Sequence, residues 1–250
     1  SQAPSPFVQS SPAMRPLGGN AIAVASMIAW AAGFPAAELL LETWSPTALI
    51  TARLALVGLL MLPLWWLLDG GQAVRRAPWT RGLVIGGLAF GIGAWLMLVA
   101  QAFTDAVTVA IIASACPVAA VFCEMVLDGR RLSRAFAFGL VATVAGGVLA
   151  TGGGGVALGI GAALAVVACF LFSLGSMMTV RALPDLTAVG RTALTLTGGA
   201  IAMIVVTFAG ELAGWQIVPT HTITSNELGL LAIFSFVGMA LSQALWLSAV

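Results

Sequence analysis

Polar and aromatic side chains set inside long apolar runs are the residues of this sequence that can do chemistry. Ser242, Gln243 and Trp246 cluster in one run, with Gln243 and Trp246 at i,i+3. Trp95 and Gln101 share a second run, and Trp30 and Phe34 stand at i,i+4 in a third, on one helix face. A glutamine amide in hydrocarbon needs a hydrogen-bond partner, so it is expected to face protein or a cavity rather than lipid. In a fourth run Ser114 precedes Pro117. A mid-helix proline frees the carbonyl four residues earlier, here Ala113, as an acceptor for substrate or water. The chemistry these groups offer is non-covalent recognition of a small amphipathic molecule. Each has a plainer reading: Trp30 and Phe34 as lipid-facing or packing residues, Trp246 as an interfacial residue, Pro117 as a structural kink. Ser173 and Ser176 read as packing residues, and Glu124 as a group that snorkels or pairs with a loop arginine.

Other chemistries are excluded by what the residues lack. Cys116, Cys123 and Cys169 lie inside apolar runs with no CxxC spacing, and read as packing residues. The single histidine, His221, sits in a polar stretch with no acidic cluster beside it, so no metal site is expected. No Ser-His-Asp order, P-loop or dinucleotide fingerprint is present, and the four glycines 152–155 lack the Lys-Ser/Thr of a phosphate cradle. The chain reads as a non-enzyme without a cofactor.

The elements that must position the candidates are membrane helices. The chain is 60% hydrophobic and 8% charged, with a mean hydropathy of +1.08, against about 25% charged in soluble domains. A spanning helix needs about 20 apolar residues. Runs of that kind cover about 18–41, 46–68, 82–103, 105–127, 135–151, 156–180, 185–209 and 227–250, after a Pro- and Ser-rich tail, 1–17, expected to be disordered. Ser45 and Pro46 mark a helix start, and Pro35 a kink. The tail and every second loop carry Arg15, Arg75, Arg76, Arg81, Arg130, Arg131, Arg134 and Arg181, whereas the alternate loops carry none. Short cytoplasmic loops collect basic residues, so the N-terminus is expected in the cytoplasm.

A repeat underlies the runs. Pro46 to Arg53 recurs as Pro184 to Arg191, each arginine followed after one residue by Ala-Leu, with the two arginines 138 positions apart. Residues 82–103 align with 229–250 at an offset of 147, pairing Gly82 with Gly229 and Gly91 with Gly238. Five helices per unit would make the second copy enter from the opposite side, an inverted repeat typical of transporters. The units are then 18–151 and 152–250, the second with three helices, and ten helices are expected where this sequence has eight. A charge at a helix centre costs about 2.5–3.5 kcal/mol, so Arg53 needs a partner. By the rise of 1.5 Å per residue Arg53 lies roughly 10–12 Å inside and Glu38 about 5 Å, a level that an arginine reaches by snorkelling outward. Glu38, Arg53 and Arg191 are therefore expected to be structural charges. Arg53 would pair with Glu38 or with helix-end carbonyls and seal the outer side, and Arg191 would lie near the opposite face. The alternative is that Arg53 receives a substrate carboxylate.

With Trp30, Pro46, Arg53, Ala102-Phe103, Thr108, Ala113, Pro117, Gly139, Gly146-Gly147 and Pro184/Arg191 in place, the sequence resembles the EamA-type branch of the drug/metabolite transporter superfamily. Its overall look resembles the aromatic amino-acid exporter subgroup (YddG-like). It departs from the family at Asp128-Gly-Arg130-Arg131, where a Gly-Glu-Arg is usual. The resemblance implies an all-α polytopic fold of two inverted five-helix units in a bacterial inner membrane. It also implies a central cavity and export of amino acids or similar amphipathic metabolites by alternating access. The expected partners are a small-molecule substrate and membrane lipid, not nucleic acid, with the chain acting as a monomer. A multidrug or other metabolite carrier, and a non-transporting scaffold, are the competing readings.

Overall fold

The eight apolar runs fold as eight helices among the residues that the computed structural model describes, which are 16–129, 134–150, 159–242 and 245. The expected tail, as far as Arg15, falls outside them, as do the glycines 152–155, Gln243 and Trp246.

Helix α1 runs over Pro16–Ala31 and resumes as Gly33–Leu41. Its break at Ala32 lies three residues before Pro35, because a proline ring clashes with the carbonyl of the preceding turn. Helix α2 (Pro46–Arg76) starts as its sequence predicts: Ser45 Oγ accepts from Ala48 N at 3.1 Å and Pro46 opens the first turn. Gly70, at φ +81°, turns the chain, and a further helical segment carries Arg75 and Arg76 in its last turn. The loop expected from Asp69 is thus partly helical, with its positive charges where they favour the helix dipole.

Helix α3 (Trp79–Phe103) contains a π-helical stretch, Gly86–Ile92. Helix α4 (Ala106–Asp128) breaks at Ala115, and Pro117 stands in the first turn of the second half. Proline therefore opens a helix here instead of bending the middle of one. Helices α5 (Arg134–Ala150), α6 (Ile160–Ala182), α7 (Ala188–Leu212) and α8 (Ser225–Leu241) complete the order. Six of the eight are long and apolar enough to cross a membrane; the described parts of α5 and α8 are shorter. Helix α8 carries a second π-helical stretch, Ile233–Leu241. Gly86 and Ile233, where the two stretches begin, are 147 residues apart, the offset of the sequence repeat.

The core forms where α2 meets α7 and α3. Leu49, Ile50, Leu54 and Trp65 of α2 and Leu194 and Met203 of α7 are fully buried. Leu59, Phe103, Val205 and Phe208 are exposed, as residues in contact with hydrocarbon tails are. Helices α3 and α7 touch through their backbones. A Cβ on Gly198 would meet the Leu83 carbonyl oxygen at 2.6 Å, and one on Gly91 would meet Gly199 Cα at 3.2 Å. Small residues give such contact in membranes, where dispersion and weak polar contacts replace the hydrophobic effect between helices.

Candidate functional site

The repeated arginines begin from one sequence motif and end in different surroundings. Helix α2 starts at Pro46, so Arg53 lies seven residues in, roughly 10 Å along the axis. Helix α7 starts instead at Ala188, capped by Thr187 Oγ1, which accepts from Gly190 N at 3.0 Å. Arg191 therefore falls in the first turn. Its Nε donates to the Leu183 carbonyl at 2.8 Å and its Nη2 to the Pro184 carbonyl at 2.9 Å, tying down the connection that precedes the helix.

Arg53 reaches into a cavity. Its Nη2 donates to the Gly238 carbonyl at 3.1 Å, inside the π-helical stretch of α8. Its Cζ lies 3.8 Å from the centre of the Phe234 ring, a cation–π contact. Its Nε is buried without a hydrogen-bond partner. Neither expected partner holds Arg53: the Gly238 carbonyl lies inside α8 and not at a helix end, and Glu38 Oε1 accepts from Ala106 N at 3.3 Å, at the start of α4. There it joins Asp105, whose Oδ1 accepts from Thr108 N at 2.7 Å. Unsatisfied amides at a helix N-terminus attract carboxylates strongly, and this is where Glu38 is used.

The cavity is lined by Trp30, Gly33 and Phe34 of α1, Arg53 of α2, and Ala94, Met97, Leu98 and Gln101 of α3. Phe172 of α6 and Phe234 of α8 complete the wall. Trp30 and Phe34 meet edge to face, with ring centres 5.1 Å apart and planes at 81°. Gln101 is buried and its Nε2 donates to the Phe34 carbonyl at 2.9 Å, which fixes the amide at the wall. The open volume is about 40 Å³, room for a few waters. Ligand pockets for larger guests are several times this size.

Of the residues expected to bind substrate, the structure brings Trp30, Phe34 and Gln101 together. Trp95 turns the other way, toward α2, where its Nε1 donates to Thr47 Oγ1 at 2.9 Å and its ring packs on the main core. Ser114 is exposed and its hydroxyl donates to the Ile111 carbonyl at 2.6 Å, within its own helix. Ser242 is buried and is not among the residues that line the cavity. Its hydroxyl donates to the Met239 carbonyl at 3.0 Å, and its carbonyl accepts from Ser26 Oγ of α1 at 2.8 Å. Carbonyls at the break near Pro117 are occupied by α6: that of Cys116 accepts from Ser173 Oγ at 3.1 Å and that of Ile112 from Cys169 Sγ at 3.7 Å. These bonds tie α4 to α6 at the break; the Ala113 carbonyl is not one of the two.

Phe172, Phe234, Met97 and Leu98 were not expected at the site. Phe234 carried a readable signal. At the repeat offset of 147 it stands where the first unit has Gly87, so the second unit puts a ring where the first has none. Met97, Leu98 and Phe172 have the types of ordinary packing residues, and nothing in the sequence separates them from the core.

A helical bundle with six membrane-length apolar helices and a charged group in an aromatic-walled cavity has the architecture of a multi-pass membrane protein with a small-molecule site. The chain belongs to the EamA-like transporter family, whose pattern it matches over residues 17–152. It is thus a multi-pass membrane transporter of small molecules. The fold is similar to that of a solved crystal structure, with a TM-score of 0.66 at 16% sequence identity over 92% of this chain and 78% of that one. No curated protein matches the sequence.

Proposed function

We propose that the protein is a secondary transporter that exports small amphipathic metabolites, amino acids with aromatic side chains foremost, across a bacterial inner membrane by alternating access. One observation carries the reading: the cavity sets a guanidinium and a glutamine amide among the rings of Trp30, Phe34, Phe172 and Phe234. That combination suits a guest with one charged or polar end and one flat apolar end. The arginines of alternate loops favour a cytoplasmic N-terminus, which puts Pro46 and the nearer, Arg53 side of the cavity toward the outside. On that orientation the backbone-tight contact of α3 with α7 falls in the cytoplasmic half and the cavity in the outer half. With no nucleotide-binding motif in the sequence, the driving force would be a gradient.

The test is uptake into proteoliposomes of labelled tryptophan, phenylalanine, threonine and a lipophilic cation. The reading expects tryptophan and phenylalanine to accumulate above empty liposomes and to compete with one another. Accumulation of the lipophilic cation alone would make the protein a multidrug carrier, and accumulation of none would leave this reading without support.

A further inference from the structure

We infer that Arg53 is the seat for an anionic group on the transported molecule, so that the cavity selects carboxylates over amines bearing the same apolar body. The inference rests on the transporter reading above and names the substrate class of that site.

A guanidinium keeps its proton and offers five N–H donors in a rigid fork. At Arg53 the Nη2 nitrogen has the Gly238 carbonyl, while the Nε hydrogen has no acceptor. Among the described residues no carboxylate pairs with it. Glu38 is bound to the start of α4, and Glu227 is held by Thr43, Trp44, His221 and Thr224. The ring of Phe234 and one carbonyl dipole offset part of the desolvation of the charge, but neither neutralises it. A full positive charge left in this setting favours an arriving anion, and the fork suits the two oxygens of a carboxylate.

The structural alternative is an arginine that anchors its own helix. Arg191 shows what that arrangement looks like: two nitrogens on two backbone carbonyls of the adjoining turn. Arg53 turns away from its own helix and toward α8. There Nη2 lies beside the backbone of both α8 and α1: a Cβ on Gly238 would be 3.4 Å from it and one on Gly33 3.8 Å, ordinary contact distances. Apart from the Gln101 amide, which is bonded to the Phe34 carbonyl, the remaining walls are apolar and include the rings of Trp30, Phe34 and Phe172, so the favoured guest is a small carboxylate with a planar hydrocarbon body.

The experiment is equilibrium binding of labelled 3-phenylpropionate and labelled 2-phenylethylamine to the full chain in lipid nanodiscs. The two probes share a body and differ in the charged end. Unaltered protein should bind 3-phenylpropionate at least about tenfold more tightly, the scale of one hydrogen bond to a charged group. Arg53→Gln should abolish that preference, and Arg53→Lys, which keeps the charge and loses the fork, should retain part of it. The comparison in the unaltered protein needs no substitution, so a misfolded variant does not spoil it. Equal binding of the two probes, or preference for the amine, overturns the anion seat and leaves the carrier reading in place. Binding of neither probe also overturns it, and the uptake assay above then decides the carrier reading separately.

Discussion

Gly86 of α3 lies so close to Thr195 of α7 that a Cβ at position 86 would sit 1.9 Å from the Thr195 carbonyl oxygen. The obstacle is backbone, so no rotamer change relieves it. Gly86→Ala must push the two helices apart and should lower stability by about 1–3 kcal/mol or more, the range for overpacked sites. Gly229→Ala is the control: it lies in a helix with nothing within 4 Å of the added carbon. There the gain in helix propensity, about 0.8–1 kcal/mol in an exposed helix interior, should leave stability unchanged or raised. Thermal unfolding in detergent separates the two, and equal melting of Gly86→Ala and the unaltered protein would mean that α3 and α7 do not meet this closely.

Gln101 ties α3 to α1 through the Phe34 carbonyl. Gln101→Ala removes the donor and one polar wall of the cavity. A net loss of about 0.5–1.5 kcal/mol in stability is expected for the hydrogen bond. Uptake of phenylalanine should fall further than that loss explains, because the Trp30–Phe34 pair loses its anchor. Stability loss with full uptake would assign Gln101 to packing alone.

The start of α4 makes a pH-dependent contribution. Asp105 is held below its ordinary value of 3.8, chiefly by its hydrogen bonds from the backbone and side chain of Thr108. A depressed carboxyl contributes stability that is complete above its unfolded value and is lost as pH falls through the folded one. Acidification from about pH 4 downward should therefore weaken the connection between α3 and α4. Asp105→Ala should cost about 0.5–2 kcal/mol at neutral pH, as N-cap losses do, and should flatten this part of the acid limb. A variant whose acid limb overlays that of the unaltered protein would count against the cap.

Helix existence and several helix starts were legible in the sequence, because Ser45-Pro46 and the apolar run lengths state local physics directly. The direction of each side chain was not. Trp95 and Trp30 look alike along the sequence, and only tertiary packing decides that one indole reaches Thr47 while the other meets the cavity. The π-helical stretches were invisible, since Gly86–Ile92 and Ile233–Leu241 have the composition of any apolar helix. The depth of Arg191 within its helix was not legible, for a specific reason. Pro184 and Thr187 are both sound helix-start residues, and the structure starts α7 after Thr187. That four-residue delay puts Arg191 in the first turn and breaks its equivalence with Arg53.

The delay gives a last, comparative prediction. Arg191 holds two carbonyls, of which Leu183 belongs to a fully buried residue. Arg191→Gln removes both bonds and should lower stability by about 1–3 kcal/mol, the scale for hydrogen bonds to a charged group. It should leave the ratio of 3-phenylpropionate to 2-phenylethylamine binding unchanged. Arg53 and Glu38 have no shared partner, since one bonds Gly238 and the other Ala106. Stability losses from Arg53→Gln and Glu38→Gln should then add to within about 0.5 kcal/mol in the double variant. A direct ion pair would instead make the second substitution nearly free of further loss. Thermal unfolding of the four proteins of the cycle reads the coupling, and a large coupling would restore Arg53 to a purely structural role.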